Sequence, residues 1–163
     1  MNEQQQDGQG RFRDPLIGLY ALAAEDIHVV CPRCQRRAVV APRPDGTDRA
    51  WTWPRRLACP ACGYCASWPA GEGQSSVWGR AVDPFFRLPL WLTAECCGGH
   101  TLWALNGRHL DLLEGYVAAR LRERGLGRGG MTYVARLPAW LKSAKHRDEI
   151  LRVISRLRAS LDG

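Results

Sequence analysis

Two CxxC pairs, Cys31-Pro32-Arg33-Cys34 and Cys59-Pro60-Ala61-Cys62, constrain this chain more than any other feature. Zn²⁺ prefers a tetrahedron of soft donors, and two intervening residues let both sulfurs of a tight turn reach one ion at about 2.3 Å. Pro32 and Pro60 preset φ without needing an N–H, and Gly63 tolerates the left-handed angle that returns the chain to a strand. The spacing therefore predicts a four-sulfur Zn²⁺ site with ligands Cys31, Cys34, Cys59 and Cys62, each pair forming one knuckle. Redox use is the competing reading. A thioredoxin-like dithiol needs a CxxC opening a helix within a βαβ pattern, which is absent, and two short disulfides need an oxidising compartment and an export signal.

Val29 to Cys34 and Leu57 to Tyr64 resemble a zinc ribbon, the module found in general transcription factors and in the cysteine-rich insert of a primosomal helicase. The resemblance covers residues 26–68, roughly a quarter of the chain. It implies a three-stranded antiparallel sheet around one Zn²⁺. Ribbons serve nucleic-acid binding, protein docking and scaffolding alike, so it implies a fold element rather than a task.

The 163 residues are 45% hydrophobic and 24% charged, enough to bury a core in one compact unit. The formal charge of +7 is unevenly placed. Residues 1–106 hold 11 Lys/Arg against 10 Asp/Glu, whereas residues 107–163 hold 12 against 6, so the basic character is C-terminal. An acidic partner such as nucleic acid is compatible with that charge, though solubility does not require one. No apolar run approaches the roughly 20 residues needed to span a bilayer. Leu16 to Ala24 is the nearest thing to an export signal, but Glu3, Asp7 and Asp14 make a poor leading region. An odd number of cysteines, four in ligand positions, favours a reducing cytoplasm.

The expected class is α+β: a zinc-ribbon antiparallel sheet extended by a second β-hairpin, with an N-terminal helix and a basic helical C-terminal region. Residues 1–13 read as a disordered tail, 14–106 as helix, ribbon and hairpin, and 107–163 as helices packed on the sheet. Asp14-Pro15 starts a helix of about two turns with Leu16, Leu19, Tyr20 and Ala23 on one face. Ile27–Val30 and Ala38–Val40 flank the first knuckle, and Pro42 to Gly46 is a turn. Trp51 and Trp53 alternate on an incoming strand, where they cover the ribbon core or form a stacking platform for bases beside Arg49, Arg55 and Arg56.

Farther on, a loop spans Ser67 to Gly73 and Val77–Val82 reads as a strand. Phe86, Leu88, Leu90 and Leu92 alternate on another strand that Thr101–Leu105 answers across Cys96 to His100. Asn106 caps a helix carrying Leu110, Leu113, Val117 and Leu121, with Arg120, Arg122 and Arg124 in its last turn before Gly125. Leu126–Gly130 is a Gly/Arg loop. Residues 138–161 form one helix or two broken near His146, with Arg147, Arg152, Arg156 and Arg158 outward.

The residues singled out for nucleic-acid contact are Arg33, Arg36, Arg37, Arg55, Arg56, Arg152 and Arg156, against the plain alternative of a solvated basic face. Cys96, Cys97, His100 and His109 offer a second metal set, although a hairpin turn with small buried thiols explains them equally. Cys65 is either a competing ligand or a small strand residue facing the core. Cys97 and His100 lack a third group to orient them as a nucleophile. No phosphate-binding or hydrolase motif is present and four sulfurs saturate the zinc, so no enzyme is expected. The expected partner is nucleic acid or a nucleic-acid enzyme, or alternatively a protein bound by an adaptor or inhibitor that uses its zinc structurally and makes no nucleic-acid contact. No membrane and no small-molecule substrate is indicated.

Overall fold

A computed structural model of the protein describes residues 11–69, 76–119, 121–123 and 132–163. It is an α+β fold built on a four-stranded antiparallel sheet in the order β2-β3-β4-β5, where β2 is Ile27–Val30, β3 Arg37–Pro42, β4 Arg55–Ala58 and β5 Cys65–Trp68. The resemblance implied three strands; β5 is the fourth. Ile27, Val29, Ala38, Val40, Arg55 and Leu57 alternate onto the buried face. His28, Val30, Arg37, Val39, Ala41, Arg56 and Ala58 take the opposite face, as the two-residue period requires.

A hairpin, β6 (Leu92–Cys96) with β7 (His100–Ala104), forms a separate two-stranded sheet. It is stitched to the first along β2. The His28 N–H donates to Leu105 O at 3.0 Å, Trp91 N–H to His28 O at 3.0 Å, and Val30 N–H to Pro89 O at 2.9 Å. Helices α2 (Gly107–Ala118) and α4 (Arg147–Ala159) cover the hairpin, burying Leu110, Leu113, Val117, Ile150, Val153, Ile154 and Leu157 in a core continuous with that under the four-stranded sheet. Asn106 joins the parts. Its side-chain oxygen accepts from His109 N at 3.0 Å as the cap of α2, and its amide donates to Leu22 O at 2.8 Å and Asp26 O at 3.1 Å.

Several expectations are corrected. Arg11–Arg13 form β1, paired in parallel with β8 (Leu121–Glu123), so no disordered tail extends to residue 13; residues 1–10 lie outside the described ones. The first helix, α1, is only Leu19–Leu22. Asp14 does not cap it: the carboxylate accepts from Leu16 N at 2.8 Å and from the Thr132 hydroxyl at 2.6 Å. Leu16, at φ 59, and Tyr20 are consequently exposed while Leu22 and Ala23 are buried.

Trp51 and Trp53 are not on a strand. Ala50–Thr52 is a 3₁₀ turn, the Trp53 indole donates to Thr47 O at 3.0 Å, and β4 begins only at Arg55. Val77–Val82 and Phe86–Leu90 are not strands either. The buried Asp83 carboxylate accepts from the N–H groups of Phe85, Phe86 and Leu88 at 2.7–3.0 Å, which ties residues 83–88 into a loop. Helix α2 stops at Ala118 rather than at Gly125, and the C-terminal region breaks into α3 (Ala139–Lys142), a 3₁₀ turn at Ala144–His146 and α4. Ser67 and Trp68, expected in a loop, belong to β5; the rest of that loop over 71–73 and the loop over 126–130 lie outside the described residues.

Candidate metal centre

Each CxxC pair folds as a knuckle held by the same two backbone hydrogen bonds. In the first, Gln35 N–H donates to Cys31 O at 2.9 Å and Cys31 N–H to Arg36 O at 2.8 Å. In the second, Gly63 N–H donates to Cys59 O at 2.9 Å and Cys59 N–H to Tyr64 O at 2.8 Å. The residue after each second cysteine is left-handed, with φ 60 at Gln35 and 75 at Gly63. Glycine makes that angle legible in the second knuckle; at Gln35 the sequence carries no such signal, and the angle follows from the shared hydrogen-bond pattern.

The pairing of β2 with β3 and of β4 with β5 brings the knuckles together at one end of the sheet. Cys31 Sγ lies 3.7 Å from Cys62 Sγ and Cys34 Sγ 3.5 Å from Cys59 Sγ, and all four sulfurs fall within 4.8 Å of one another. Sulfurs at about 2.3 Å from a tetrahedral ion stand about 3.8 Å apart, so the residues fit a divalent metal. A disulfide would bring sulfurs to about 2.05 Å, and all seven cysteines are free. Cys31 and Cys59 are buried, while Cys34 and Cys62 face partly outward.

Cys31 and Cys62 are pushed in opposite directions. Desolvation raises the Cys31 thiol, but the N–H groups of Cys34 and Arg33 and contacts from Cys59 and Cys62 outweigh it and hold it down to about 6. At Cys62 the Tyr64 N–H favours the thiolate, yet desolvation and the three neighbouring sulfurs prevail and push it up to about 12. Sulfurs this close cannot all ionise unaided, and a cation relieves the repulsion.

Of the arginines singled out, Arg33 and Arg36 are exposed on the first knuckle, Arg37 is half-buried and Arg56 exposed on the outward sheet face, and Arg152 and Arg156 are exposed on α4. Arg55 is the exception. It is 1% exposed, its guanidinium donates to the carbonyls of Ala23 and Ala50, and it holds the interior of the fold rather than a surface. Its alternation with Arg56 on a one-sided sheet was the available signal. Arg147 and Arg158, expected outward, fasten α4 to α2. Arg147 Nε donates to Val117 O at 3.0 Å, and Arg158 bridges Asp111 at 2.6 Å and Glu114 at 2.5 Å.

The second cysteine group is arranged differently from the expected set. Cys96 and Cys97 are buried thiols of the hairpin, and burial pushes Cys96 up to about 12 and Cys97 upward. His100 stacks flat on Trp140 at 4.8 Å, and His109 is buried with Nδ1 accepting from Leu105 N at 3.0 Å. The residues that do meet Cys97 are His146 and Glu149. Cys65 is exposed on β5 rather than turned to the core, and it is not among the four clustered sulfurs. No helix among the described residues is long and apolar enough to cross a membrane. No family model, curated protein or solved structure matches the chain.

Proposed function

We propose that this protein is a Zn²⁺-stabilised ribbon that binds nucleic acid directly or as part of a nucleic-acid enzyme. The observation that supports the reading is that Arg33 and Arg36 are exposed on the first knuckle, next to the clustered sulfurs, while Arg37 and Arg56 lie farther along the outward face of the same sheet. Zn²⁺ is the metal that four thiolates at this spacing favour, and four protein ligands leave no position for water, so its role is structural. The ion makes the knuckle rigid, and rigid guanidinium groups hold phosphates with little ordering cost. Such contacts fix position on a backbone without reading sequence.

The test is a titration of the zinc-loaded protein against labelled duplex and single-stranded DNA and RNA at two salt concentrations. Binding should weaken steeply with salt, and the combined substitution R33A/R36A/R56A should lower the slope by roughly 0.7–0.9 for each phosphate that is no longer neutralised. Absence of binding at low salt, or binding indifferent to salt, defeats the reading.

One observation favours an adaptor instead. A cavity of about 500 Å³ is lined by Tyr20, Trp78, Trp103, Tyr133, Leu137 and Trp140, which suits an apolar side chain from a protein partner. A partner retained after nuclease treatment and released by Trp140→Ala selects that reading.

A further inference from the structure

The Sγ of Cys97, a ring nitrogen of His146 and a carboxylate oxygen of Glu149 all lie within 4.8 Å of one another, where the β6–β7 turn meets the start of α4. None of the three belongs to the four-sulfur group. His146 ends the 3₁₀ turn that leads into α4 and Glu149 sits in the first turn of that helix, three residues on, so the two share one helical face. The hairpin turn brings Cys97 to that face, and its N–H donates to Glu149 Oε1 at 2.8 Å, which registers the turn against the helix.

We propose that Cys97, His146 and Glu149 form a second divalent-cation site, distinct from the ribbon, with three protein ligands and a fourth position open to solvent. A sulfur, an imidazole nitrogen and a carboxylate oxygen form a donor set that suits Zn²⁺. Donors around a tetrahedral zinc stand about 3.3–3.8 Å apart, so closure from separations of at most 4.8 Å needs movements of no more than about 1 Å. The half-buried His146 and exposed Glu149 have that freedom, whereas Cys97 is fixed in the turn. The start of α4 carries a positive partial charge that opposes a cation. A thiolate and a carboxylate supply two negative charges that offset it. A nucleophilic role for the same residues fits less well, because Cys97 is only 7% exposed and offers a substrate little approach.

The site makes a claim that the ribbon does not: a second metal equivalent. Full-length protein loaded with excess Co²⁺ and passed through a desalting column should retain two ions per chain, one of them surrendered first to a mild chelator. His146→Ala and Glu149→Gln should each reduce the count to one, with an unchanged far-ultraviolet circular dichroism spectrum and with the strong sulfur-to-cobalt absorption of the four-thiolate site intact. Two ions in both variants, or one ion in the parent protein that survives both substitutions, overturns the second site while leaving the ribbon standing. An equivalent that disappears with the four-thiolate absorption, but not with these variants, belongs to the ribbon and likewise overturns it.

Discussion

The guanidinium carbon of Arg55 lies 4.1 Å from the centre of the Phe85 ring. The side chain also donates to the carbonyls of Ala23 and Ala50, and the buried Asp83 supplies the opposing charge. Burial lowers the guanidinium to about 10 while Asp83 raises it, so it remains charged at neutral pH. Arg55→Ala strands two carbonyls and leaves the buried Asp83 with its backbone hydrogen bonds but without an opposing charge, and should cost about 3–5 kcal/mol in denaturant unfolding of the protein. A change under about 1 kcal/mol, the size of an ordinary surface substitution, would show that this network carries no weight.

Metal removal should act first on the knuckles. The amides of Gln35 and Gly63 bond to Cys31 O and Cys59 O in the two turns that carry the four clustered sulfurs. Structural zinc supplies roughly 10–16 kcal/mol of apparent binding energy in small metal-dependent folds. Hydrogen exchange after strong chelation should therefore show both amides losing protection while the Leu110–Val117 amides of α2 keep theirs longer. Simultaneous loss would mean that the ion supports the whole core.

His109 makes stability depend on pH. Burial holds its imidazole down to about 3, against an ordinary 6.5. Between these values the unfolded chain binds a proton that the folded chain does not, so stability falls as pH drops through 6.5 towards 3 by up to about 1.4 kcal/mol per unit. Above 6.5 the contribution is flat. His109→Asn keeps an acceptor for Leu105 N–H and should flatten the profile between pH 6 and 4 relative to the parent; parallel profiles would contradict this.

The two arginines that fasten α4 to α2 should differ. Arg158 makes short contacts with Asp111 and Glu114, yet its side chain is 38% exposed, and Arg158→Ala should cost less than about 1 kcal/mol, most of it screened away at high salt. Arg147 instead satisfies the carbonyls of Val117 and Ala119 where α2 ends. Arg147→Ala should cost about 1–2 kcal/mol and be nearly insensitive to salt. Thermal melts at two ionic strengths separate the two.

What could be read in the sequence was local. The cysteine spacing, Gly63 and the Asn106 cap each specify geometry within a few residues, and the four sulfurs and α2 lie where that geometry puts them. The alternation of Phe86, Leu88, Leu90 and Leu92 misled because strand identity depends on where backbone donors go. Pro89 has none, and Asp83 takes those of Phe85, Phe86 and Leu88. Asp14 misled in the same way: its carboxylate serves Leu16 and a distant Thr132 instead of a helix start. Cys97 meets His146 and Glu149 only through packing of the hairpin on α4, a relation between distant segments that no spacing records.

The bonds from Leu105, Pro89 and Trp91 close one side of the four-stranded sheet, and among the described residues no strand lies beyond β5. Among the described residues, Cys65–Trp68 is therefore the edge of the sheet that pairs with no further strand, the kind of edge on which a foreign strand can add. Ser67→Lys places a charge on that edge and should lower any tendency of the protein to add strands there.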